Sequence, residues 1–122
     1  MTTNRRTITS AEAQAEVEAK IAQFSEKNKK IAKRMHELFL EANPSLVPRL
    51  WYGMPGYAKT KDSAVLAFFR EDEYMTFGLT ENAHFDIQSA ADSLLMPSAW
   101  FFTELNEATE RQIVEIVRNA TV

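Results

Sequence analysis

Trp51-Tyr52-Gly53-Met54-Pro55-Gly56-Tyr57 places three aromatics, two glycines, a proline and a methionine in seven positions. The run is too aromatic for an ordinary loop and too rich in Gly and Pro for a helix interior. It reads as the end of one strand, a turn over Gly53-Met54-Pro55-Gly56, and the start of another strand. The flanking strands are then Arg49 to Tyr52 and Tyr57 to Thr60.

After this hairpin the pattern stays strand-like. Lys61-Asp62-Ser63 is a polar turn, and Ala64 to Phe69 is an apolar run of strand length. Arg70-Glu71-Asp72-Glu73 is a charged hairpin turn. From Tyr74 to Leu79 the residues alternate, with Met75, Phe77 and Leu79 on one face and Tyr74, Thr76 and Gly78 on the other. Connections this short favour antiparallel neighbours.

Before the hairpin the period is helical. Ser10 is the expected N-cap, with Glu12 in the first turn, and Ala13, Val17, Ile21 and Phe24 form a stripe. Ser25 begins a second helix with Ile31, Met35, Leu38, Phe39 and Ala42 on its apolar face. The two stripes nearly share phase, so one long bent helix is an open alternative. Asn43-Pro44 ends the helix, because a residue before proline is pushed out of the α region. Beyond Leu79, Thr80 to Leu95 reads as a third helix carrying Ala83, Ile87, Ala90, Ala91 and Leu94. Pro97-Ser98 breaks it, and Trp100 to Thr103 reads as a fifth strand. Asn106 caps a last helix with Ile113, Ile116, Val117 and Ala120. The expectation is an α+β fold: an antiparallel sheet of about five strands with helices packed on one face.

A length of 122 residues corresponds to one domain. The expected division is a flexible leader over residues 1–9 and a single domain over 10–122. The leader has no apolar core that would make it a secretory signal, and no stretch is long and apolar enough to span a bilayer. A cytoplasmic location is the default expectation. The net charge of -3 argues against nucleic acid and against an anionic membrane as partners. There is no Cys, which removes disulfides, thiolate catalysis and Cys-based zinc sites.

The order Ile21-Ala22-Gln23-Phe24, an amphipathic helix, Asn43-Pro44 and then Tyr52-Gly53-Met54-Pro55-Gly56-Tyr57 resembles the YdhG-like family of small bacterial proteins of unknown function. The likeness runs from about Glu18 to Asn119. It implies a helix-flanked antiparallel sheet. Some members are described as frataxin-like iron chaperones, so it also implies a weakly bound iron. Where many members have Glu four residues before the signature Tyr, this chain has Pro48. It also has no His in the turn between the two central strands, Arg70 to Tyr74.

Two sets of residues are candidates for function. Exposed acids are suitable labile iron ligands. Glu12 and Glu16 share one helical face, and Glu71, Asp72 and Glu73 crowd one turn; the bland reading of both is solvated surface charge. The second set is aromatic: Trp51, Tyr52, Met54, Tyr57 and Trp100. These residues fit a hydrophobic core, a small-ligand pocket with the Tyr52 hydroxyl as polar handle, or a surface through which a homodimer forms. Alternation predicts Trp51 and Tyr52 on opposite faces of the sheet. His36 and His84 are isolated, with no second His three or four residues away. The basic run Lys27 to Arg34 wraps around its helix and reads as a solvated face. No nucleophile elbow or phosphate-cradling glycine loop is present, so the expected function is non-enzymatic binding.

Overall fold

The computed structural model describes residues 8–85 and 95–122. Its elements are α1 (Ser10–Ile21), α2 (Glu26–Ala42), β1 (Val47–Trp51), β2 (Met54–Ala58), β3 (Val65–Glu71), β4 (Met75–Leu79), β5 (Ala99–Phe102) and α3 (Glu107–Ala120). The five strands form one sheet in the order β1-β2-β3-β4-β5, each antiparallel to its neighbours. The fold is α+β, as the sequence predicts. Among the described residues no helix is long and apolar enough to cross a membrane.

Each helix starts at an identifiable cap. For α1 the N-cap is Thr9, not Ser10. Thr9 Oγ1 accepts the Glu12 N–H at 3.0 Å, and the Glu12 carboxylate accepts the Thr9 N–H at 2.8 Å. This reciprocal box satisfies two otherwise orphan donors, and it draws Thr9 out of the expected leader into the helix. Residues 1–7 of that leader lie outside the described residues. Between α1 and α2 the chain tightens, with Gln23 N–H donating to Lys20 O and Phe24 N–H to Ile21 O, so there are two helices and not one bent one. Asn106 caps α3, its Oδ1 accepting the Thr109 N–H at 2.8 Å.

The start of α2 is capped from a distance. Ser25 is its N-cap residue but makes no side-chain cap of its own. Instead the Glu71 carboxylate, from the end of β3, accepts the Ser25 N–H at 3.2 Å, the Ser25 hydroxyl, and Asn28 Nδ2 at 2.7 Å. An anion at a helix N-terminus faces the positive end of the helix dipole. Burial pushes the Glu71 carboxyl up, but these donated bonds outweigh it and hold the group below its ordinary range.

The hairpin differs from its expected form. Trp51 pairs with Met54 and Leu50 with Pro55, so the turn is the two-residue loop Tyr52-Gly53. Both loop residues have positive φ, +51° and +75°, the conformation of a type I′ turn. Met54, Pro55 and Gly56 therefore belong to β2. Pro55 is tolerated there because the ladder to β3 begins only at Gly56. Tyr52 is an unfavourable residue in this loop. A left-handed non-glycine costs roughly 1–2 kcal/mol, and Asn tolerates that region far better. Its compensation is an edge contact with Trp51 at 4.8 Å, made by a side chain that is 85% exposed and so worth little. We expect Tyr52→Asn to stabilise the protein by about 0.5–1 kcal/mol. Thermal unfolding checks this; a lower melting temperature would mean that the ring contact dominates.

The core lies between one sheet face and the three helices. Tyr57, Ala67 and Leu79 align across β2, β3 and β4, and Phe69, Phe77 and Trp100 across β3, β4 and β5. They meet Val17, Ile21, Met35, Leu38, Phe39, Ile113 and Val117 from the helices. The α3 stripe is shifted slightly from its expected phase: Val114 is buried and Ile116 only partly so. The other sheet face packs upon itself. The Phe68 ring lies over Gly78 and Trp51 over Gly56, with Trp51 and Phe68 5.1 Å apart. Bulky rings opposite glycines fill the space that the glycines leave.

The expected third helix meets the structure only in part. Residues 80–85 form turns and bends, with Thr80 Oγ1 donating to Val65 O and His84 N–H to Ala120 O at 2.8 Å. Those bonds hold the segment to β3 and to the end of α3. Ile87, Ala90, Ala91 and Leu94 lie outside the described residues.

Candidate functional site

The five residues of the aromatic set are not brought together. Tyr57 is completely buried on the helix side, between Phe39 at 4.7 Å and Phe69 at 6.1 Å. Trp100 is on that same side and stacks on Phe77 at 5.0 Å. Trp51 points to the opposite face, and Met54, which pairs with it, shares that face. Tyr52 leaves the strand at the turn and touches Trp51, so the expected opposition of these two rings is wrong. Alternation fails because the strand ends at Trp51.

The acidic set is also dispersed. Glu12 is engaged in the α1 capping box, and Glu16 is exposed. Glu71 turns to the start of α2. Asp72 accepts Arg70 Nε at 2.8 Å, and Glu73 is exposed. Among the described residues no three His, Cys, Asp or Glu side chains converge as a metal site would need.

What the fold does assemble is a cleft of about 260 Å³ beside the hairpin. Gly53, Met54 and Pro55 form one wall. Lys20, Gln23 and Phe24, at the end of α1, form a second, and Arg70 and Glu71 close it. The placement follows from the elements: α1 lies along β1, and Phe24 packs edge-on to Phe69 at 6.1 Å, drawing the end of α1 over the sheet. Glu71 is already committed to Ser25 and Asn28. Arg70 is held by Asp72, and its exposed guanidinium has further donors. Lys20 has no carboxylate partner among the described residues. The cleft thus combines apolar side chains with the Lys20 ammonium, the Arg70 guanidinium already paired with Asp72, and the Glu71 carboxylate committed to the start of α2. Sequence reading placed Gln23 in the family-like run and Arg70 in a hairpin turn but gave no binding role to Lys20, Gln23 or Arg70, because nothing local brings them together. A larger groove of about 420 Å³ between α2 and α3 carries Arg34, Arg111 and Arg118 against Glu41, Glu107, Glu110 and Glu115. Arg34 there is bound to Glu37 and Glu110, each at 2.8 Å, so the Arg34 and Glu110 charges are already paired.

His36, half-buried on α2, is a structural partner of Tyr57. Its Nδ1 lies 2.7 Å from the Tyr57 hydroxyl, and its Nε2 lies 4.0 Å from a Glu18 oxygen on α1. A carboxylate can only accept, so the arrangement suits an imidazole with the proton on Nε2 and a phenol donating to Nδ1. Burial holds His36 below its ordinary 6.5, against the opposing pull of Glu18 and Glu37. Burial also pushes the Tyr57 phenol well up, with the Glu18 charge adding to it. For a base whose folded pKa is depressed, the unfolded chain takes up the proton first. The stability is therefore present above 6.5 and is lost as pH falls through the folded value. Glu71 and Glu110 act lower, losing their contributions only below 4.5. Urea unfolding should show a lower midpoint at about pH 5.5 than at about pH 7.5. His36→Gln should flatten that interval; an unchanged slope would assign it to another group.

Comparison of the chain with protein-family models, with curated proteins and with solved structures finds no match.

Proposed function

We propose that this protein is a non-enzymatic cytosolic carrier of a small anionic ligand, bound in the cleft between the end of α1 and the β1–β2 hairpin. The observation that carries this reading is a single cleft lined by Phe24, Met54 and Pro55 together with Arg70 and with Lys20, which has no carboxylate partner among the described residues. A carboxylate or phosphate group would pair with the two cations while the rest of the ligand covers the apolar side chains. The volume suits a metabolite of a few heavy atoms and not a dinucleotide. In this reading the hairpin signature that resembles the YdhG-like family is the wall of the binding site, and Gly53 serves it by leaving the mouth free of a side chain.

Amide NMR titration with inorganic phosphate and with succinate is the test. Shifts should concentrate at Lys20, Gln23, Gly53 and Arg70, and Lys20→Met should weaken binding at least about tenfold, or 1.4 kcal/mol. No shift at millimolar ligand would overturn the proposal. The iron role implied by the family resemblance is read in the same experiment by adding Fe(II) without oxygen. Broadening at Glu12 and Glu16, or at Glu71 to Glu73, would favour iron over the anion.

A further inference from the structure

The two edges of the sheet are treated differently by the chain. The β1 edge contains Pro48, which cannot donate, and Arg49, whose Nη1 donates to Lys61 O at 2.8 Å; α1 also lies against this strand. Among the described residues the β5 edge has none of these devices. Among the described residues β5 pairs only with β4, and Leu79 N–H donates to Ser98 O at 2.7 Å. Backbone groups of successive residues point alternately to the two sides of a strand. Since Ser98 faces β4, so do Trp100 and Phe102, and the N–H and C=O of Ala99 and Phe101 point outward. Among the described residues they have no partner.

Side chains at this edge are as telling as its backbone. From Leu95 to Thr103 there is no charged residue. Phe101 is 70% exposed, against Tyr74 at 4.7 Å, and Leu95 is 88% exposed. An apolar recess of about 230 Å³, lined by Trp100, Phe102, Ile113 and Ile116, runs between β5 and α3.

We propose that two copies of this chain associate through β5, antiparallel about a two-fold axis, to make one continuous sheet. The occupant is a second copy for two reasons. A chain of net charge -3 repels itself, and a charge-free edge is where two copies can meet without that penalty. The edge is also self-complementary. With the axis at Phe101, each Phe101 exchanges both backbone bonds with its counterpart, and each Trp100 stands opposite the other copy's Phe102, beside the recess. This pairing is independent of the Lys20 cleft, which lies at the hairpin by the opposite edge of the sheet.

Sedimentation velocity over a dilution series should show a reversible dimer. Phe101→Lys should leave a monomer at every concentration; its side chain is mostly solvent-exposed, so circular dichroism should remain native. Because the chain has no cysteine, Phe101→Cys supplies a unique reporter, and mild oxidation should cross-link it into a covalent dimer. A wild-type monomer at all concentrations overturns the proposal, leaving the edge to another protein's strand. A dimer that survives Phe101→Lys, or a Phe101→Cys chain that does not cross-link, overturns it as well.

Discussion

Replacing Phe39 by Ala is expected to lower the unfolding free energy by about 3–5 kcal/mol. Phe39 is fully buried on α2 and stands among Tyr57 at 4.7 Å, Phe69 at 5.7 Å and Phe77 at 6.2 Å. It is the ring through which α2 engages β2, β3 and β4 together. Truncation removes the transfer free energy of the ring and leaves a cavity whose walls are strand residues held in register, so little collapse can offset the loss. A small domain has only roughly 5–15 kcal/mol in all, and the variant should be close to unfolding at room temperature. Urea denaturation should give a much lower midpoint with an unchanged slope. A loss under about 1 kcal/mol would mean that α2 can move into the space and that Phe39 is not the keystone assigned here.

The second large effect belongs to a glycine in ordinary extended backbone. Gly78→Ala should cost about 3 kcal/mol, the upper end of the usual overpacking range. A Cβ there would lie 2.8 Å from Phe68 Cζ and 2.8 Å from the Ser98 carbonyl oxygen. The ring can tilt, but Ser98 O accepts the Leu79 N–H and belongs to the β4–β5 connection, so relief means distorting that register. Gly53 offers a contrast: its φ is +75°, yet nothing lies within 4 Å of a Cβ built on it. Gly53→Ala should therefore cost only the backbone strain, roughly 1–2 kcal/mol. Phe68→Leu combined with Gly78→Ala should recover the share due to the ring and leave the share due to Ser98. If Gly53→Ala proves the more damaging, the packing over Gly78 is looser than described.

These two glycines mark the limit of what local sequence can report. Gly53, next to an aromatic run with proline, announces a turn. Gly78 sits inside an alternating strand and announces nothing, because the need for a missing side chain there is created by Phe68 and Ser98. The hairpin shows the same division. Its existence was legible from Trp51 to Tyr57, but its register was not. Sequence reading assigned Pro55 and Gly56 to the turn on their general preferences. The observed register instead puts both in β2, where Pro55 lies beyond the ladder to β3 and Gly56 makes room for Trp51.

Chain order, helical periodicity and strand alternation by themselves determined the α+β class, the helical N-terminal part, the antiparallel meander and the last helix with its Asn106 cap. These depend on side-chain spacing within a few residues, and each segment carries that spacing on its own. That the N-terminal part is two helices and not one bent one was decided by the structure. Tertiary structure decided the rest. It buried Tyr57 against His36 and placed Trp100 on the helix side, dividing a set of aromatics that look alike in sequence. It turned Glu71 from a candidate ligand into the cap of α2, and it set Lys20 and Arg70 on one cleft with the hairpin. All of these arrangements join residues far apart along the chain, and their free energy comes from burial and from pairing across the fold, which no local pattern encodes.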